Sequence, residues 1–98
     1  MRSLSPVTVA AVERSRAAGH NTWLVAERVD NGKRDAYGNV YVPVLLDHEG
    51  GKANWFVVRI ERDGTTIVTN TGAPFHQRSH AYTHQHALAS GNLKDWPR

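Results

Sequence analysis

Histidine is the reactive residue that this sequence concentrates most heavily. Four of the six histidines lie in the segment Phe75–Ser90, at positions 76, 80, 84 and 86. Imidazole is a common metal ligand and the side chain that titrates closest to neutral pH. On a helix, His76, His80 and His84 follow one another at intervals of four residues and form one strip, which makes them candidate ligands for a divalent metal such as zinc. Polar surface histidines are the interpretation we favour, because one strip seldom supplies tetrahedral angles. A pH-dependent switch of clustered imidazoles is a further alternative.

This segment is itself predicted to be a helix, since it follows the punctuation Gly72-Ala73-Pro74. At about 100° per residue, Phe75, Tyr82, His86 and Ala89 share one face. We take that face as the one toward the core. His86 is therefore predicted to be a hydrogen-bonded core histidine.

An acid–base set for metal-free RNA cleavage can also be assembled from the sequence. Such cleavage needs one group to deprotonate the 2′-hydroxyl, another to protonate the leaving oxygen, and a cation to stabilise the developing charge. Arg59 and Glu61 alternate onto one face of a predicted strand, and His80 from the last helix can complete the set. A solvated ion pair is the simpler interpretation of Arg59 and Glu61, and we favour it.

A third candidate site combines basic and aromatic side chains. The polar segment Asp30–Asn39 is predicted to be a loop, and its lysine, arginine and tyrosine can hold a phosphate and stack a base. A mobile polar connection is the simpler alternative. The candidate contact residues lie on this loop, on the sheet face and on the last helix: Lys33, Arg34, Tyr37, Trp55, Arg59 and Arg78.

The charge is unevenly distributed along the 98 residues, which carry a net charge of +3. Residues 1–34 contribute +3, residues 35–70 contribute −2 and residues 71–98 contribute +2. Two basic ends are compatible with a polyanionic partner without requiring one.

Several classes of protein are excluded by composition. The chain has no cysteine, so disulfide scaffolds, thiolate zinc sites and cysteine nucleophiles are ruled out. No cofactor is indicated apart from the zinc considered above. The apolar run Val40–Leu46 is far shorter than the roughly 20 residues needed to cross a bilayer. We therefore expect a cytoplasmic protein that does not contact the membrane.

The clearest element is a helix over residues 4–19. Ser5 is a good N-cap, Pro6 fits the first helical position, and Gly19 stands where a left-handed C′ residue belongs. Val9, Val12 and the alanines are expected to supply its narrow apolar stripe.

Strands are predicted to follow. They cover Thr22–Val29, Val40–Leu46, Asn54–Arg62 and Thr65–Asn70. Pro43 removes a ladder donor, so its strand should lie at an edge or carry a bulge. The sequence predicts one α+β domain spanning residues 1–98: an N-terminal helix, a three- to four-stranded antiparallel meander and a C-terminal helix packed on one face of the sheet. Both helices are expected on that face, which leaves Trp55, Arg59 and Glu61 on an open one.

In outline, an N-terminal helix followed by an antiparallel sheet with Glu61 and Arg59 on an open face resembles the small microbial ribonucleases and related toxin nucleases. The resemblance implies a metal-independent ribonuclease. A histidine of a final strand has no counterpart here, since the chain is predicted to end in a helix.

The sequence is therefore compatible with three functions. The leading hypothesis is a small binding or accessory protein, acting by contact with a nucleic acid or with a protein that handles nucleic acid, including as an inhibitor. The alternatives are the ribonuclease-like enzyme and a metal-binding module built on the histidines.

Overall fold

A computed structural model of the chain describes residues 4–19, 28–47 and 53–91. Its helices and strands are α1 (Pro6–Ala17), β1 (Arg28–Val29), β2 (Lys33–Arg34), β3 (Val40–Asp47), β4 (Asn54–Ile60), β5 (Thr66–Val68) and α2 (Arg78–Ala89). The predicted α+β order of helix, antiparallel sheet and helix is confirmed. The part of the predicted first strand before residue 28 lies outside the described residues. None of the helices in the described ranges is long and apolar enough to cross a membrane.

The sheet has four strand positions, although five segments contribute to it. β1 and β2 both pair with the same side of β3, while β4 pairs with its other side and β5 pairs with β4. All of these pairings are antiparallel. Lys33 and Arg34, which were assigned to a loop, thus form a short strand of the sheet.

Local signals determine both ends of α1 as the sequence predicts. The Ser5 hydroxyl accepts a hydrogen bond from the Thr8 backbone NH at 3.4 Å, and Pro6 is the first helical residue. Gly19 has a φ of +80° just beyond the helix, where an L side chain would be strained.

The inward face of α1 agrees with the predicted stripe at Ala11 and in part at Val12, but not at Val9. Thr8, Ala11 and Ser15 are buried, Val12 is half-buried, and Val9 is 45% exposed. Thr8, Ala11 and Ser15 have small side chains, which let the helix pack close to the sheet. The space between the helix and the sheet is then too narrow for a row of valines.

The two helices cover opposite faces of the sheet, so the prediction that both lie on one face is wrong. One face packs against Ala11 of α1 and consists of Val40, Val42, Val44, Val58 and Ile60. The other packs against Ala81 and Leu88 of α2 and consists of Tyr41, Leu45, Trp55 and Val57. β3 is apolar at almost every position because both of its faces are covered, as in strands buried between two layers.

Pro43 lies in the middle of the sheet and not at an edge. Its missing NH nevertheless costs no ladder bond, because the strand opposite carries a bulge. Where β1 gives way to β2, the outer strand has three unpaired residues, 30–32, against Val42 and Pro43 on β3. Asp30 donates its backbone NH to the Pro43 carbonyl at 3.0 Å, which places the proline nitrogen on the bulged side.

Both helices hold this bulge in place. From α1, the Thr8 hydroxyl accepts from the Gly32 NH at 2.8 Å, and the Ser5 NH just before the helix donates to Asn31 Oδ1 at 2.7 Å. From α2, the buried Gln85 amide donates to the Asn31 carbonyl at 3.0 Å. Residues 30–32 therefore form a polar link between the two outer layers.

The fourth strand position is also interrupted, and a side chain completes it. Asn70 is fully buried, accepts from the Val57 NH at 2.9 Å and donates to the Trp55 carbonyl at 3.3 Å. The chain then loops out and rejoins the sheet at Phe75, which exchanges two backbone hydrogen bonds with Trp55. The Asn70 amide thus replaces a peptide group of the strand.

Candidate functional site

The three histidines predicted as metal ligands are not brought together. His76 precedes α2 and donates from Nδ1 to the Ala53 carbonyl at 2.8 Å. His80 is exposed and His84 is buried. Within residues 4–19, 28–47 and 53–91, no three histidine or acidic side chains are grouped so that they can hold a metal ion.

His84 is the core histidine of α2, whereas His86, predicted for that role, is exposed. The His84 Nε2 lies 3.3 Å from Thr69 Oγ1, and the Thr69 hydroxyl donates to the Val57 carbonyl at 2.8 Å. Since that hydroxyl proton is already used, His84 donates from Nε2 to the Thr69 oxygen. Burial lowers the pKa of His84 below its ordinary value of 6.5.

The predicted phase of α2 was wrong because Phe75 does not belong to the helix. Phe75 pairs with the sheet through its backbone, and its ring lies 5.1 Å from the His84 ring, centroid to centroid. The helix begins at Arg78. Its buried side chains are Ala81, His84, Gln85, Leu88 and Ala89.

The candidate catalytic set is only partly assembled. Arg59 and Glu61 form an ion pair of 3.0 Å, which is the simpler of the two sequence interpretations. His80 is exposed on α2, and no hydrogen bond or ion pair between described residues connects it to that pair. The ribonuclease role of these three residues stays a prediction without a supporting contact.

Two of the candidate contact residues interact with other parts of the protein itself. Trp55 is 4% exposed beneath α2, so the open sheet face expected around it does not exist. Arg78 donates to Asp30 and its guanidinium carbon lies 5.0 Å from the Tyr82 ring centroid. Hydrogen bonds to Asp30 and Tyr82 raise the pKa of Arg78.

Of the other predicted contact residues, Arg59 lies on β4 and the remaining three are exposed on one hairpin. Lys33 and Arg34 lie on β2, and Tyr37 lies in the turn that connects β2 to β3. Tyr37 is 79% exposed, the most exposed of the large hydrophobic residues that the structure describes. The basic and aromatic groups of this segment are thus presented on a defined hairpin and not on a mobile loop.

A groove of about 450 Å³ runs between α1 and this hairpin. Three arginines line it, one each from α1, from β2 and from the turn after β4: Arg14, Arg34 and Arg62. The remaining lining is mostly apolar and consists of Pro6, Val7, Ala10, Gly38 and Val40. We call this the arginine groove.

The described residues that line the arginine groove include three arginines and no carboxylate. Within the described ranges, no carboxylate forms an ion pair with Arg14, Arg34 or Arg62. The Arg14 Nε is buried and has no hydrogen-bond partner there. Like charges around one groove repel each other. An anion bound among the three arginines would relieve that repulsion, and guanidinium groups suit phosphate in particular.

Gly38 allows Arg62 to reach the groove. The φ of Gly38 is +88°, and a Cβ placed there would lie 3.0 Å from both Cγ and Cδ of Arg62. The aliphatic part of the Arg62 side chain therefore packs directly on the hairpin turn, where Arg62 and Gly38 both line the groove.

Asp35 makes this turn rigid. One carboxylate oxygen accepts from the backbone NH groups of Tyr37 and Asn39, at 2.8 and 2.9 Å, and the other accepts from the Asn39 amide and the Tyr41 hydroxyl. Burial alone raises the pKa of Asp35, but these hydrogen bonds outweigh it and hold the pKa below its ordinary 3.8. The carboxylate is thus charged and fixed at neutral pH.

Sequence reasoning found Arg34 but missed Arg14 and Arg62. One signal was available for Arg62, because alternation from the inward-facing Ile60 places it on the side of the sheet that faces α1. Arg14 could be placed at the edge of the buried face of α1 only if Ala11 and Ser15 were known to face inward.

Comparison of the chain with protein-family models, with curated protein sequences and with solved structures gave no match. Its function is therefore inferred from its own residues.

Proposed function

We propose that this chain acts by contact and not by turnover, and that it binds nucleic acid through the arginine groove. The observation that carries the proposal is the convergence of Arg14, Arg34 and Arg62 on one groove without an acidic partner among the described residues. Guanidinium groups match phosphate bidentately, and a nucleic acid presents a series of closely spaced phosphates.

The surroundings of the groove support the same partner. Lys33 is exposed beside Arg34 on β2, and Tyr37 is exposed in the adjoining turn. Nucleic-acid-binding surfaces commonly combine basic side chains with an exposed aromatic ring. The described residues that line the groove include no nucleophile and no general base, which favours binding over catalysis.

The test is a fluorescence anisotropy titration of labelled oligonucleotides with wild-type protein and two matched variants. Arg34→Ala removes a groove arginine, whereas Arg16→Ala removes an exposed arginine of α1 that does not line the groove. Both variants lose one positive charge. We expect Arg34→Ala to weaken binding about tenfold and Arg16→Ala to change it by less than about twofold at low salt.

Two outcomes would count against the proposal. Equal effects of the two substitutions would mean that net charge, and not the groove, attracts the nucleic acid. No binding of any oligonucleotide at low salt would reject nucleic acid as the partner, and a protein partner would then be sought by affinity capture with wild-type protein against Arg34→Ala.

A further inference from the structure

We infer that the arginine groove takes single-stranded nucleic acid, with one base stacked on Tyr37 and its phosphate among the arginines. This inference rests on the proposed function and specifies its ligand. Three features of the hairpin and the groove carry it.

The first feature is the position of Tyr37. It directly precedes Gly38, which lines the groove and on which the Arg62 stem packs. The backbone of Tyr37 therefore adjoins a groove that three arginines line, and its ring is exposed. That combination binds single strands, because every base has a face that can stack and every nucleotide has a phosphate.

The second feature is the rigidity of the turn that presents Tyr37. The Asp35 carboxylate accepts from the Tyr37 NH at 2.8 Å and from Asn39 through two further hydrogen bonds. An exposed ring on a fixed backbone loses little conformational freedom when a base stacks on it. The exposure of this ring is thus a built feature of the hairpin and not a consequence of a mobile loop.

The third feature is the size of the groove. Its volume of about 450 Å³ lies in the range of sites that take one small molecule. A nucleotide fits such a site, whereas a duplex needs a much larger contact surface on the protein. The bases of a duplex are also stacked on their neighbours and cannot reach Tyr37 unless they are flipped out.

The experiment compares four ligands: an oligothymidylate and an oligouridylate of about ten nucleotides, a duplex of the same length, and inorganic polyphosphate. Each is titrated against wild-type protein, Tyr37→Ala and Tyr37→Phe. The side chain of Tyr37 is 79% exposed, so both variants are expected to fold. Polyphosphate contains no bases and serves as the control for phosphate contacts alone.

We expect Tyr37→Ala to weaken single-strand binding roughly 5- to 150-fold, the range for loss of one stacked base. Tyr37→Phe keeps the aromatic ring and should bind as wild type. Polyphosphate binding should be the same in all three proteins. The thymidine and uridine strands distinguish DNA from RNA as the preferred ligand.

The inference is overturned if Tyr37→Ala binds the single strand as tightly as wild type, or if the duplex binds as tightly as the strand. In either case a loss of affinity in Arg34→Ala would leave the proposed function standing. Failure of every nucleic acid to bind would reject both.

Discussion

Arg78 donates a hydrogen bond from Nε to Oδ2 of Asp30 at 2.6 Å, joining two residues that lie 48 positions apart in the chain. Asp30 is 2% exposed and begins the bulge opposite Pro43. The guanidinium of Arg78 therefore stabilises a buried carboxylate and fixes α2 against the sheet. Arg78 was predicted as a contact residue, and its surroundings indicate a structural role.

Replacement of Arg78 by alanine should destabilise the fold. We expect a loss of about 1–2 kcal/mol in the free energy of unfolding, because a hydrogen bond to a buried charge is lost although Arg78 itself is partly exposed. The measurement is the urea midpoint, with His80→Ala as the control at an exposed position of the same helix. A midpoint for Arg78→Ala equal to that of the control would contradict this role.

The elements that were predicted correctly are those with local signals. Ser5, Pro6 and Gly19 delimit α1 through their own backbone preferences, and alternation of apolar residues identified β4. The polar residues around Lys33 and Arg34 predict a loop, because only the register with β3 makes these two residues a strand.

The candidate site depended on contacts between distant parts of the chain. Arg14, Arg34 and Arg62 come from three separate elements, and their convergence follows from the close approach of α1 to the sheet. The buried face of α2 depends on a similar contact. Phe75 is apolar and is predicted to be part of the helix, but its backbone pairs with Trp55 in the sheet.

Asn70 should be intolerant of change because its amide replaces part of a strand. Asn70→Ala leaves the buried Val57 NH without an acceptor, which should cost about 1–3 kcal/mol. Asn70→Asp should cost more, since a carboxylate would face the carbonyl oxygens of Trp55 and Ala73, to which the amide now donates. Chemical denaturation with Thr71→Ala, at an exposed neighbouring position, as control tests both. Wild-type stability of Asn70→Asp would show that the amide does not donate there.

His84 should make stability depend on pH. Its pKa in the folded state is lowered by burial, whereas the unfolded chain takes up the proton near 6.5. Between these two values the unfolded state binds more protons, so stability falls as the pH drops below about 6.5 and does not respond to His84 above it.

The contribution of His84 can be isolated by substitution. Thermal unfolding from pH 7.5 to pH 5 should show a smaller decrease in Tm for His84→Gln than for wild type. His80→Gln removes an exposed imidazole from the same helix and controls for that loss. An unchanged pH dependence in His84→Gln would mean that His84 is protonated as readily in the folded state as in the unfolded one.

Gly38 should matter for both stability and binding. An alanine there would be strained at a φ of +88° and would press against the Arg62 stem, whereas Gly72 has a φ of +81° and nothing within 4 Å of an added Cβ. We expect both Gly→Ala variants to lose about 1–2 kcal/mol of stability from the backbone strain. Only Gly38→Ala should also lose affinity for nucleic acid, because Arg62 is displaced. Equal affinities of the two variants would show that Arg62 does not contribute to binding.

The central claim is that the arginines of the groove contact phosphate groups, and the salt dependence of binding tests it most directly. The logarithm of the association constant for a single strand should fall linearly with the logarithm of salt concentration, with a slope that loses about 0.7 for each phosphate contact removed. We expect Arg34→Ala to have a slope shallower by about that amount, and Arg16→Ala to keep the wild-type slope. A flat salt response of the wild-type protein, or an identical slope in Arg34→Ala, would contradict the account.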